Sequence, residues 1–183
     1  MWVKHEGRAM EDDIIVILDA NRLMAISTVM PNGWPQATLV GYANEGLLIY
    51  FIVSRAGQKF ANIQRDPRVA IAISRDYEEP SEIRELSIAA EASEVTDPKQ
   101  REHAIDLLLE RRPSMKKLDR PNSATAAVMR AALRIVTISD YTKGFGHADM
   151  VTLGPAGIID MQAARPDDWG FTPTTEPRGD AGH

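Results

Sequence analysis

Four cations, Arg55, Lys59, Arg65 and Arg68, crowd into SRAGQKFANIQRDPRVAIAI (residues 54–73) with Asp66 as the one acid among them. A local charge of +3 inside a chain of net charge −5 points to a negative partner for this stretch. Ser54 suits a helix N-cap, because its hydroxyl can accept from backbone N–H groups two or three residues on. Ala56, Phe60 and Ile63 then fall at i, i+4 and i+7, the stripe of one short buried helix face. Asp66-Pro67 ends that helix, since proline disfavours helical geometry at the residue before it. The expected unit is strand, capped helix, strand. A helix N-terminus presents unpaired N–H donors and about half a positive charge, so it attracts anions. Arg55 and Lys59 occupy its first turns, and Gln58 adds a neutral donor. Arg65 and Arg68 lie roughly 15 Å further along and serve as solvated charges. The same residues also fit a surface helix whose charges bind nothing, and charge alone does not choose between the two.

Other candidates for chemistry are sparser. Gly144-Phe145-Gly146 is a G-x-G motif, but position 149 is Asp and a strand-like run precedes it without a βαβ context. It is not a dinucleotide fingerprint, and its glycines suit a tight bend. His103 and Asp106 have the one-turn spacing of metal ligands but lack a third, so no metal site is expected. RRPSMKKLDR (residues 111–120) holds five cations and one acid. Such a cluster either draws an anionic substrate or complements a helix C-terminus. There is no G-x-S-x-G and no acid pair with the pattern of a general acid and base, and no catalytic residue is assigned.

The elements that must position these residues read as mainly β. MEDDIIVILDANR (residues 10–22) has the apolar spacing of an opening helix, and DPKQREHAIDLLLERR (97–112) is a second, with Asp97 as cap, Pro98 at its first position and Pro113 after its end. Strand patterns run through RLMAISTVM, QATLVGYA, LLIYFIV, RVAIAIS, IRELSIAAEASEV and LRIVTISDY. The links PNGWP and Asn44-Glu45-Gly46 are turn-like, which implies antiparallel hairpins rather than helical crossovers. The expectation is an α+β chain built on a six-stranded antiparallel split β-barrel, closed so that no edge stays exposed, with a few flanking helices. One domain over residues 1–162 and a Pro/Gly-rich tail over 163–183 complete it. Zero cysteines exclude disulfides, thiolate metal sites and a cysteine nucleophile. No apolar run approaches the ~18 residues of a membrane span, and MWVKHEGRAMEDD lacks the apolar stretch of a signal peptide, so a cytoplasmic protein with no membrane contact is expected. The net acidity argues against nucleic acid as a partner.

The order of these pieces carries a resemblance. MAISTVMPNGWPQATLVGYANEGLLIYFIVSRAGQKFANIQRDPRVAIAI resembles the pyridoxamine 5′-phosphate oxidase-like flavin-binding split barrels, with QKFANI and DPRV as its most similar segments, and DYTKGFGH resembles a signature of a subset of them. The resemblance spans about residues 10–153. It implies a homodimer holding FMN in a groove between subunits, an oxidoreductase moving hydride between NAD(P)H and a small-molecule substrate. The alternatives within the same barrel are a flavin carrier or sensor without turnover, or a deazaflavin- or haem-binding protein. The family's phosphate contacts map onto Ser54, Arg55, Gln58 and Lys59, and its isoalloxazine contacts onto Gln36, Ala37, Thr38 and Leu39, largely through backbone groups. Lys143 and His147 either face the flavin from the second subunit or end a strand and face water. QATLVGY lacks the arginine and lysine that true pyridoxamine 5′-phosphate oxidases carry there, and their C-terminal arginine- and histidine-bearing segment has no match, so vitamin B6 oxidation is not implied.

Overall fold

The computed structural model describes residues 2–117, 119–155 and 157–163. Its elements are α1 (Trp2–Ala20), β1 (Leu23–Val29), β2 (Pro35–Glu45), β3 (Leu48–Ser54), α2 (Gln58–Arg65), β4 (Arg68–Ile73), β5 (Arg84–Glu94), α3 (Pro98–Arg111), β6 (Ala126–Asp140), β7 (Ala148–Gly154) and β8 (Gly157–Ala163). All eight strands form one sheet in the order β3-β2-β1-β4-β5-β6-β7-β8. An additional pairing of β3 with β6 closes the first six into a barrel. The expected six-stranded antiparallel split barrel is therefore present, with β7 and β8 continuing the sheet past the closure.

Alternation explains which side chains fill the barrel. Met24, Ile26 and Thr28 of β1 and Val69, Ile71 and Ile73 of β4 are buried while most of their neighbours are not, as the two-residue period of a strand requires. Ile14, Ile17 and Leu18 of α1 join that core. The run LLIYFIV is apolar throughout because β3 is covered on both sides. Ile49, Phe51 and Val53 face the barrel, whereas Tyr50 lies in a second cluster with Ile105 and Leu108 of α3. At the start of α3 the Asp97 carboxylate accepts from the Gln100 N–H at 2.9 Å, as its sequence position indicated.

Several boundaries differ from the sequence reading. The opening helix begins at Trp2 rather than Met10. β6 starts at Ala126 rather than near Leu133, because its alanine-rich first half is stabilised by pairing with β3, from Leu48↔Ala132 to Ser54↔Ala126. Local propensity undervalues such a segment. β7 and β8 are two strands beyond the expected six. The helix after β3 begins at Gln58 with Gly57 as its cap residue and no side-chain cap, so Ser54 is not its N-cap, and Ala56 is exposed. A turn from the Ser54 carbonyl to the Gly57 N–H delays the helix by a turn. The tail expected over residues 163–183 lies, apart from Ala163, outside the described residues. No helix among the described residues is long and apolar enough to cross a membrane.

Tyr42 ties β2 to α1. Its ring is 1% exposed, its hydroxyl donates to the Leu18 carbonyl at 2.7 Å, and burial, offset in part by Arg111, pushes its pKa up to about 12. An unfolded tyrosine ionises near 10, so this group's contribution is fully present below pH 10 and is lost as pH rises toward 12. Urea midpoints measured from pH 9 to 12 should fall across that window, and Tyr42→Phe should flatten the fall while costing about 1 kcal/mol at pH 8 for the lost hydrogen bond.

Candidate functional site

The barrel is split at one place. β2 pairs with β3 only from Tyr42↔Phe51 to Glu45↔Leu48, whereas β3 stays paired with β6 as far as Ser54. Upstream of Tyr42, β2 follows β1 instead, in a register that runs to Val29↔Pro35. Residues 36–41 therefore diverge from residues 52–54 and leave a cleft of about 490 Å³ between them, with the start of α2 at its end. Along this stretch β2 has a ladder partner on one side only, so main-chain groups on its other side face the cleft unpaired.

The structure gathers most of the residues singled out from sequence. Gln36, Thr38 and Leu39 line one wall, and Ser54, Gln58 and Lys59 line the other. The Thr38 hydroxyl is buried and has no hydrogen-bond partner, an open position for a ligand group. Lys59 is half-buried, has no ion pair or hydrogen bond among the described residues, and has its pKa lowered by burial. An ammonium desolvated without a partner is stabilised by any anion that reaches it. With no side-chain cap on α2, its first N–H groups are unmet by the chain's own side chains and add to that attraction.

Four predicted residues stand elsewhere or are already engaged. Ala37 is exposed and does not line the cleft. Arg55 donates to both carboxylate oxygens of Glu94 on β5 and, through Nε at 2.8 Å, to the Ser123 carbonyl, with its guanidinium over the Phe60 ring. That arginine fastens the β3–α2 loop to the barrel. Lys143 and His147 sit in the bend between β6 and β7, where Gly144 and Gly146 adopt positive φ of 141° and 76°. Lys143 lies 3.5 Å from Asp13 and 3.8 Å from Asp149, and His147 Nε2 is 3.0 Å from Asp149, so both face acids of their own chain. Outside the cleft, His103 meets Glu45 and Asp106 meets Arg120.

Asn62 is the residue that sequence reasoning undervalued. It is 1% exposed on the buried face of α2 and its amide donates to the Thr28 hydroxyl at 3.0 Å and to the Gln36 side chain at 3.4 Å. Its carbonyl accepts from Gln58 at 2.8 Å. One buried amide thereby fixes a glutamine on each wall of the cleft. The available signal was its i, i+4 spacing from Gln58, which puts the two amides next to each other on one helix. Asn62→Ala should destabilise the fold by about 1–3 kcal/mol, since Thr28 is left buried without its partner. Denaturant titration of the variant measures this.

Comparison with known proteins places this arrangement. Residues 10–138 match the family described as pyridoxamine 5′-phosphate oxidase. No curated protein sequence matches the chain. Among solved structures, the chain is similar to a haem-binding protein from Mycobacterium smegmatis, with 22% identity and a TM-score of 0.67 over 78% of this chain and 57% of that one. A protein from Listeria innocua described as a pyridoxamine 5′-phosphate oxidase gives 21% identity and a TM-score of 0.59 over 72% and 98%. HutZ, the haem storage protein of Vibrio cholerae, gives 16% and 0.54 over 67% and 89%. At these identities the likeness is one of fold, and the chain spans little more than half of the Mycobacterium smegmatis protein.

Proposed function

Since this chain belongs to the pyridoxamine 5′-phosphate oxidase family, we propose that it binds FMN in the cleft between β2 and β3 and works as an FMN-dependent oxidoreductase. The observation that carries this reading is the pairing of an unpartnered, partly desolvated Lys59 with the uncapped start of α2 at one end of the cleft. A phosphate satisfies both at once. The Ser54 hydroxyl is placed to add a further donor, and Gln58, held by Asn62, stands beside it. The unpaired edge of β2, with Gln36 and the Thr38 hydroxyl, suits the polar rim of a flat heteroaromatic ring. Arg55, already bonded to Glu94, keeps the phosphate loop in place rather than serving as its main charge. When bound, FMN supplies hydride transfer between reduced nicotinamide and a small substrate, and the protein supplies position and electrostatics.

The second reading is haem, which two of the structural relatives bind or store according to their descriptions. An axial ligand such as His, Met, Cys or Tyr holds haem iron, and none of these lines the cleft among the described residues. Absorption of the purified protein decides between the readings: flavin bands support FMN, a Soret band supports haem, and a protein that stays colourless with added FMN overturns the proposal. Lys59→Ala should weaken FMN binding about ten- to a hundredfold and leave riboflavin, which has no phosphate, nearly unchanged. Lys117→Ala, on an exposed residue of the other basic cluster, is the control for general electrostatics. Equal losses in the two variants would remove the phosphate from Lys59.

The functional unit in this proposal is a homodimer. Leu39 beside the cleft is 73% exposed and Trp34 on the same hairpin 69%, apolar surface of the kind that a second copy covers. Light scattering at micromolar concentration should give twice the chain mass of 20.2 kDa, and a flavin-loaded monomer would refute the arrangement.

A further inference from the structure

A second cleft of about 310 Å³ lies beside the first and shares Val40, Gly41 and Ile52 with it as a common wall. Tyr42 and Leu108 make it largely apolar, and among the described residues its one charged lining residue is Arg112, which follows the C-terminus of α3. This arginine differs from its neighbour. Both Nη atoms of Arg111 are engaged, by Asp19 and by the Leu18 and Asn21 carbonyls, and its buried Nε alone lacks a partner among the described residues. Arg112 spends a single side-chain donor, Nη2 to the Arg22 carbonyl at 3.1 Å, and its buried Nε has no partner. It meets no carboxylate among the described residues. A guanidinium carries five N–H donors, so most of its capacity is unused. Its position depends on Gly41, where a Cβ would stand 3.1 Å from the Arg112 Cζ. The glycine lets the cation lie flat against β2, at the boundary of the two clefts.

An apolar pocket at the small end of the range for ligand sites, with one convergent cation, defines a ligand class. We propose that this second cleft is the substrate pocket, taking a small anion with an apolar body, such as an aromatic or branched carboxylate, with its charge on Arg112. The proposal rests on the FMN reading of the neighbouring cleft, since the shared wall puts such a substrate next to the flavin. It also assigns one cation of the basic 111–120 cluster a role beyond complementing the helix end.

Benzoate is the probe. Titrated into the full-length chain, with and without FMN, it should shift the backbone amide resonances of Gly41, Ile52 and Leu108 saturably. Benzyl alcohol, the same body without charge, should bind about tenfold more weakly or worse. Arg112→Met should weaken benzoate about tenfold and leave FMN affinity unchanged. The proposal is overturned if those amides do not move, if benzyl alcohol binds as well as benzoate, if benzoate displaces FMN, or if Arg112→Met binds benzoate like the parent. The comparison of benzoate with benzyl alcohol needs no variant, so it holds even if Arg112→Met does not fold. Failure of FMN to bind, read separately by flavin fluorescence, sinks the reading of the first cleft and leaves the benzoate result standing on its own.

Discussion

The structure depends on a divided loyalty in the hydrogen-bond ladders around β3. That strand pairs with β6 over its whole length, which closes the barrel, but with β2 over four residue pairs only. Had β2 and β3 stayed zipped up to Ser54, the barrel wall would be continuous and both clefts would vanish. The separation is stable because neither strand is left bare. β2 remains paired with β1, and β3 is covered on both sides, by the barrel core and by α3. Unpaired main-chain groups along the gap are the cost, and they are tolerable where solvent or a ligand reaches them.

The charges beside this gap are sorted by what the fold brings to each. Arg55 and Lys59 are one helical turn apart in sequence, yet β5 delivers Glu94 to the first and nothing to the second. Arg111 and Arg112 repeat the contrast at the end of α3, where α1 and the residues after it give Arg111 three partners and leave Arg112 with one among the described residues. In both pairs the more heavily bonded member holds elements together and the other faces a cleft. An unsatisfied, partly buried cation is costly to a protein on its own, which makes such positions good places to look for a ligand.

At the bend between β6 and β7 the opposite rule holds. Asp140 and Asp149 are nearly buried, and Lys143, Arg84 and His147 stand close to them, with Asp13 of α1 joining from the side. The acids face basic groups of their own chain, and the cluster anchors α1 and β7 to the sheet. The GFG bend supplies the positive φ angles that turn the chain into β7.

Composition and pattern by themselves determined the class of the protein. Two-residue alternation marks the barrel strands, Asp97-Pro98 marks the start of α3, and the family resemblance puts the cleft residues on β2 and at the start of α2. Each of those signals is local, carried by neighbours a few positions apart. Tertiary structure alone decided where β6 begins, since an alanine-rich segment becomes a strand only when β3 lies beside it. It decided that Ser54 is not a cap and that Asn62 bridges the two walls. It also decided which cations are left without a partner among the described residues, because Glu94 lies 39 residues from Arg55 and the carbonyls that engage Arg111 lie 90 and 93 residues back. An electrostatic partner is fixed by distance in space, and a sequence window a few residues wide does not contain it.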